Sequence, residues 1–199
     1  MPEIGKKVPK LQGVTDEGAK IALADFRGNP LVVYFYPKDN TPGCTNEAVA
    51  FRDAYAAFCK KHCAIVGVSR DSIVSHAKFR AKYELPFPLV ADVDEKWCEA
   101  FGVLGEKTLY GRKFIGVIRS TFLIGPDGTL VAGGSYDGEV RVWKVADGTV
   151  LAQAPVVVVA AGFDSLALLV SADAPALPLN PLRGQLLYGP MPDAPHPLP

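Results

Sequence analysis

Residues 31–37 read LVVYFYP, a continuous apolar, β-branched and aromatic run. A strand written this way has no polar face to offer water, so it belongs inside a sheet covered on both sides. The chain supplies a cover at once. After a Thr-Pro-Gly turn, Ala48, Phe51, Tyr55 and Phe58 recur at spacings of three and four, which predicts one buried face of a helix from about Cys44 to His62. The alternation continues. CAIVGVS (Cys63–Ser69) reads as a second buried strand, SHAKFRAKY as a second helix ended by the prolines of LPFP, and FPLVAD as a third strand. DVDEKWCEAFG follows as a short helix with acidic residues in its first turn and glycine at its end. Gly13–Phe26 alternates polar and apolar residues around DEG, a small hairpin, and FIGVIRSTFLI, GPDG and TLVA read as an antiparallel hairpin closing the sheet. Strand and helix in turn define an α/β domain with parallel pairing at its centre, occupying roughly residues 1–132.

At 199 residues, with 21 basic and 21 acidic side chains, the chain is long enough for a full core and offers no electrostatic case for nucleic acid or an anionic membrane. The N-terminus MPEIGKKVPK has no apolar leader, and the most apolar run, Pro155–Val170, is too short to span a membrane and carries Asp164. A cytoplasmic location is expected. Four cysteines are too few for a disulfide scaffold, so each is a small buried hydrophobe or an active thiol.

Cys44 is placed like an active one. A cysteine in the first turn of a helix sees the positive end of the helix dipole and several unpaired N–H groups, both of which favour thiolate over thiol. Dithiol oxidoreductases place two cysteines there as C-x-x-C, but the first position is Thr41. A lone thiol is suited instead to attacking an O–O bond and becoming a sulfenic acid. The Thr41 hydroxyl, one turn away, can donate to and accept from a bound peroxide, or serve as the helix N-cap. Pro37 and Pro42 stiffen the loop.

Pro37-x-x-x-Thr41-x-x-Cys44 resembles the peroxiredoxin active-site motif, and YFYPKDNTPGCTNEA, GVSRDS, FPLVAD and GVIRSTFLIGPDG are similar to the bacterioferritin comigratory protein, or PrxQ-type, branch. The resemblance runs from about Lys7 to Leu130. It implies a thioredoxin-like fold and reduction of hydrogen peroxide and organic hydroperoxides, with no metal or organic cofactor. By the same resemblance Cys44 matches the peroxidatic cysteine, Thr41 and Pro37 the residues shaping its pocket, and Arg119 the arginine that holds the thiolate and polarises the peroxide. Glu47, one turn into the helix, is a structural partner for Arg119. Thioredoxin or a small thiol is the implied reductant, and a monomer or weak dimer the expected state.

Many relatives carry a second cysteine five residues after the first, where this chain has Val49. Cys59 lies roughly 22 Å along the same helix at 1.5 Å per residue, beyond disulfide reach. Cys63 opens a strand whose start belongs at the sheet edge opposite the active site. CKKHC supplies three ligands, Cys59, His62 and Cys63, at an unusual spacing, where a structural zinc site wants four. Cys98 starts from the same sheet edge as Cys44 and is a candidate resolving thiol or a packing residue; otherwise a one-cysteine cycle is expected.

The C-terminal third changes character. DGTLVAGGSYDGEVRVWKVADGTVLA resembles a WD40 repeat, and VVVVAAGFDSLALLVSAD the start of another, with LVAGGS and LLVSAD 38 residues apart. Residues 133–174 are therefore expected to be β-rich and WD40-like, though one and a half repeats cannot close a propeller. The helix that usually closes the fold is not visible. From Ala172 onward eight of 28 residues are proline, so 175–199 is expected to be a disordered tail. Two other functions fit the text: an interaction module built on the WD40-like segment, and a peroxide sensor relaying oxidation to a partner thiol.

Overall fold

The computed structural model describes residues 2–3, 5–109, 111–136, 157–159 and 168–170. Two short strands, β1 (Gln12–Val14) and β2 (Lys20–Ala22), form the expected N-terminal hairpin and lead through a 3-10 turn at Leu23–Phe26 into β3 (Leu31–Phe35). Then come α1 (Pro42–Lys60), β4 (Ala64–Ser69), α2 (Ile73–Tyr83), β5 (Leu89–Ala91) and α3 (Lys96–Phe101). The chain continues through β6 (Leu104–Leu109), β7 (Arg112–Val117), β8 (Arg119–Ile124) and β9 (Leu130–Tyr136). The main sheet has the order β5-β4-β3-β8-β9. β3, β4 and β5 run parallel, and β8 and β9 extend the sheet antiparallel beyond β3.

β3 is the central strand, and all five of its residues are at most 1% exposed. Its alternation divides the core in two. Val32 and Tyr34 face α1 and α2, joining Ala48, Phe51, Phe58, Phe79 and Phe87. Leu31, Val33 and Phe35 face α3 and the N-terminal segment, joining Trp97, Phe101, Val103 and Phe122. Phe35, Phe101 and Phe122 form a mutual aromatic cluster with ring centroids 4.9–5.8 Å apart.

Local chemistry sets the helix limits. α1 starts at Pro42, whose fixed φ suits the first helical position and whose missing N–H has no helical partner to lose. At α2 the Ser72 hydroxyl accepts from the Ser75 N–H, and the helix ends at Glu84 in the left-handed region, ahead of Pro86. Asp92 caps α3 by accepting from the N–H groups of Trp97 and Cys98, at 2.9 and 2.8 Å.

One expected element divides. FIGVIRSTFLI is two strands broken at Ile118, whose N–H turns away to donate to the Val103 carbonyl at 2.7 Å. Its first half pairs with β6 in a separate hairpin, and its second half is β8. The β8–β9 hairpin turns through GPDG as expected, and β9 continues past TLVA to Tyr136. Beyond it only β10 (Val157–Val159) and β11 (Leu168–Val170), paired antiparallel, are described. The rest of the expected WD40-like segment and the whole proline-rich tail lie outside the described residues. Among the described residues no helix is long and apolar enough to cross a membrane.

Gly67 permits the central packing. It lies beside Tyr34 in the β3–β4 register, and a Cβ there meets the Tyr34 ring and Leu89 Cδ2 at 2.7 Å. Both neighbours are fully buried, so they have little room to yield. Gly67→Ala is expected to cost about 1–3 kcal/mol of overpacking strain. Urea unfolding followed by circular dichroism measures this, and a wild-type midpoint refutes it.

Candidate active site

The parallel strands deliver their C-terminal ends to one edge of the sheet, and the loop from β3 to α1 crosses that edge. Cys44 is the third residue of α1 and is 2% exposed. The helical bonding of α1 begins only with the Thr45 N–H on the Thr41 carbonyl, so the Gly43 and Cys44 N–H groups have no acceptor within the helix. β8 runs antiparallel to β3, with Phe35 opposite Ser120, so its first residue, Arg119, begins where β3 ends. That places Arg119 Nη2 as a donor to Cys44 Sγ at 3.1 Å. Its Nη1 donates to Glu47 Oε2, one helical turn beyond Cys44. Burial pushes the Glu47 carboxyl up to about 7, against the pull of Arg119. Burial works against the charge on Arg119 too, but Glu47 and Cys44 outweigh it and raise its pKa above the usual arginine value.

Thr41 and Pro37 lie in the entering loop, both half-buried. Thr41 occupies the N-cap backbone position, yet its hydroxyl caps nothing and instead donates to the Lys38 carbonyl at 3.0 Å. A buried polar network holds this loop from behind. Asp39 accepts from the Tyr36 hydroxyl at 2.8 Å and the Ser75 hydroxyl at 2.7 Å, and pairs with His76 Nδ1 at 3.0 Å. His76 is fully buried, and its Nε2 faces the Val90 carbonyl at 3.2 Å. The Asp39 N–H donates to Asp71 on the far side. Burial acts to raise the Asp39 carboxyl, but the bonds from His76, Ser75 and Tyr36 prevail and hold it below the ordinary range.

A family model described as the AhpC/TSA family matches residues 4–132, a span holding every one of these groups. The chain belongs to the AhpC/TSA family. Among its relatives are a putative peroxiredoxin bcp of Coxiella burnetii, 44% identical over 65% of this chain and 86% of its own, and peroxiredoxin Bcp of Bacillus subtilis, 46% identical over 65% and 82%. A cysteine-to-serine variant of peroxiredoxin Q from Xanthomonas campestris superposes with a TM-score of 0.60, at 46% identity over 63% of this chain and 80% of that one. This AhpC/TSA chain is a thiol peroxidase on a thioredoxin-like α/β fold.

The remaining thiols of this peroxiredoxin are set apart from Cys44. Cys98 is fully buried in the core on the other face of the sheet. Burial and the Asp92 carboxylate push its thiol far above the usual cysteine range. Cys63 precedes β4 at the opposite end of the parallel strands, and burial pushes it up to about 12. Cys59 is exposed near the end of α1, and Val49 is half-buried on the same helix.

Sequence reasoning missed two groups. One is the Tyr36–Asp39–His76 network, joined across 37 residues with no motif to announce it. The other is Lys107 on β6, half-buried and lowered from the usual lysine value by burial and by the charge of Arg119.

Asp39 carries the first pH-dependent test. Asp39→Asn removes the buried carboxylate that accepts from the Tyr36 and Ser75 hydroxyls and faces His76, and is expected to cost about 2 kcal/mol at neutral pH. The folded carboxyl titrates below its unfolded value, so its contribution is complete above the ordinary carboxylate range and is lost as pH falls through the lowered value. Urea titrations of both proteins are expected to converge in acid. A penalty independent of pH refutes the role given to the ionised Asp39 carboxyl.

Proposed function

We propose that Cys44 is the attacking thiol, Arg119 its electrostatic support, and Thr41 and Pro37 the pocket that orients the peroxide. The observation that carries this is the Arg119 N–H donated to the Cys44 sulfur at 3.1 Å, at a helix N-terminus with free N–H groups. Cys44 Sγ attacks the terminal oxygen of ROOH. The S–O bond forms as the O–O bond breaks, two electrons pass from sulfur to peroxide, and the departing RO⁻ takes a proton to leave as ROH. Arg119 carries fixed positive charge where the departing oxygen becomes negative. The Thr41 hydroxyl, now on the Lys38 carbonyl, is within one turn of the sulfur and can exchange that bond for one to the substrate.

The sulfenic acid is discharged by an external thiol, which displaces water and forms a mixed disulfide; a second thiol of thioredoxin or a small-molecule reductant then releases Cys44. The burial of Cys98 in the opposite core supports this one-cysteine cycle. Organic hydroperoxides are substrates beside hydrogen peroxide, a reading supported by a bacterioferritin comigratory protein of Xanthomonas campestris studied for alkyl peroxide reduction, 43% identical to this chain. Residues 1–132 carry the chemistry, in a cytoplasmic monomer or weak dimer.

Stopped-flow reaction with hydrogen peroxide and cumene hydroperoxide, followed by turnover with thioredoxin, its reductase and NADPH, tests each role. Cys44→Ser is expected to abolish the reaction with the fold intact by circular dichroism. Arg119→Lys keeps the charge but loses the fork and is expected to lower the peroxide step about 100- to 1,000-fold. Cys98→Ser turns over like wild type. A variant of Cys98 that stalls after one peroxide makes Cys98 the resolving thiol, and a wild type that consumes only one peroxide per chain is a sensor.

A further inference from the structure

The GVSRDS block, Gly67–Ser72, has no role in the chemistry proposed for Cys44, Arg119, Thr41 and Pro37, yet it reaches the same loop. β4 ends at the fully buried Ser69, and Asp71 follows, half-buried, where the chain turns toward α2. Asp71 Oδ2 accepts from the Ser69 hydroxyl at 2.7 Å and from the Asp39 N–H at 2.9 Å. The Asp71 N–H donates back to Ser69 Oγ at 3.1 Å. The Asp39 N–H belongs to the same planar peptide unit as the Lys38 carbonyl, and the two point in opposite directions. That carbonyl accepts from the Thr41 hydroxyl at 3.0 Å. One peptide plane therefore has Asp71 at one end and the Thr41 side chain at the other. The turn around it has little freedom to compensate. The Asp39 carboxylate is tied to Tyr36, Ser75 and His76, and the Thr41 carbonyl accepts from the Thr45 N–H at 2.8 Å as α1 begins. Between them Asn40 holds the left-handed conformation at φ 56°, which a short polar side chain tolerates.

We propose that Asp71 is a positioning residue for the peroxidase reaction: by fixing the plane of the Lys38–Asp39 peptide it sets the direction of the Thr41 hydroxyl in the peroxide pocket. The proposal rests on the roles given to Cys44 and Thr41. A peptide N–H on a carboxylate makes a charge-assisted bond, stronger than a neutral one. It also polarises the carbonyl of its own peptide unit, which strengthens the bond that carbonyl accepts at the other end. Ser69 orients the carboxylate from inside the sheet, so the relay runs from the buried end of β4 through Asp71 and one peptide plane to Thr41. Without Asp71 the N–H end of the plane is released, and the plane turns and carries the Thr41 hydroxyl with it. A displacement of about 1 Å in an orienting group is enough to slow a reaction by as much as about 100-fold.

The experiment measures two rates on the full chain for wild type, Asp71→Ala, Asp71→Asn, Ser69→Ala, Thr41→Val and Asp71→Ala/Thr41→Val. One is the second-order reaction with hydrogen peroxide, and the other is alkylation of Cys44 by iodoacetamide, followed by mass spectrometry. Alkylation needs the thiolate but no oriented peroxide, so it reports general loosening or lost ionisation at Cys44. Asp71→Ala is expected to slow the peroxide step about tenfold or more while alkylation stays within about twofold of wild type. Asp71→Asn keeps an oxygen able to accept both bonds and is expected to restore most of the rate. In the Thr41→Val background Asp71→Ala is expected to add no further loss, because Thr41 is the group through which it acts. Ser69→Ala frees one side of the Asp71 carboxylate and is expected to give a smaller loss in the same direction. An unchanged peroxide rate in Asp71→Ala, or in Ser69→Ala should Asp71→Ala fail to fold, overturns the proposal. So does a loss that persists in full without the Thr41 hydroxyl, an equal change in alkylation, or an Asp71→Asn as impaired as Asp71→Ala, which makes the effect one of charge. A wild type that does not react with peroxide at all refutes the catalytic reading itself, a separate outcome.

Discussion

A guanidinium held between a thiol and a carboxylate is the constraint on which the site depends. Arg119 and Cys44 are 75 residues apart, and the sheet joins them by running β8 antiparallel to β3, so that the start of one meets the end of the other. Taking that charge out of water is costly unless a partner goes with it. Glu47 is the partner, and its place one turn beyond Cys44 makes a single helix present both the nucleophile and the anchor.

The same economy shapes the entering loop. The segment from Tyr36 to Thr41 has no regular structure of its own, and its geometry is taken from the Asp39 carboxylate, which is bonded to Tyr36 behind it and to Ser75 and His76 of α2. Through the His76 contact with the Val90 carbonyl, the loop is tied to the strand at the sheet edge. Thr41 spends its hydroxyl on the Lys38 carbonyl instead of on the helix, which leaves the first N–H groups of α1 without a side-chain cap. Burial then separates the thiols by reactivity. Cys63 and Cys98 are pushed toward the neutral thiol by their apolar surroundings, while Cys44 alone has a cation against its sulfur.

Much of this was readable in the chain, and the reasons differ by element. β3 announced itself because a strand buried on both faces has no polar residue, and α1 because its buried positions keep the helical period. The split of FIGVIRSTFLI was not readable: eleven residues of uniform β-forming text continue across Ile118, and only the pull of the Val103 carbonyl breaks them. β6 was missed for the opposite reason, since LGEKTL has neither strict alternation nor a continuous apolar run. Within the site, Cys44, Thr41 and Pro37 are close in sequence and were visible as a motif. The Asp39–His76 contact was not, because it joins the entering loop to a helix 37 residues away with no motif between them.

The sequence by itself determined the layering, the position of a lone cysteine at a helix start, and the residues able to do thiol chemistry, because hydrophobic period and helix-end chemistry are local properties. Family resemblance already named Arg119 and Glu47 as the partners at the sulfur, and only the tertiary structure decided how Asp39 and His76 brace the entering loop and on which face of the sheet Cys98 is confined. Those are set by strand order and register, which are settled by the burial of whole faces and not by any residue's neighbours in the chain.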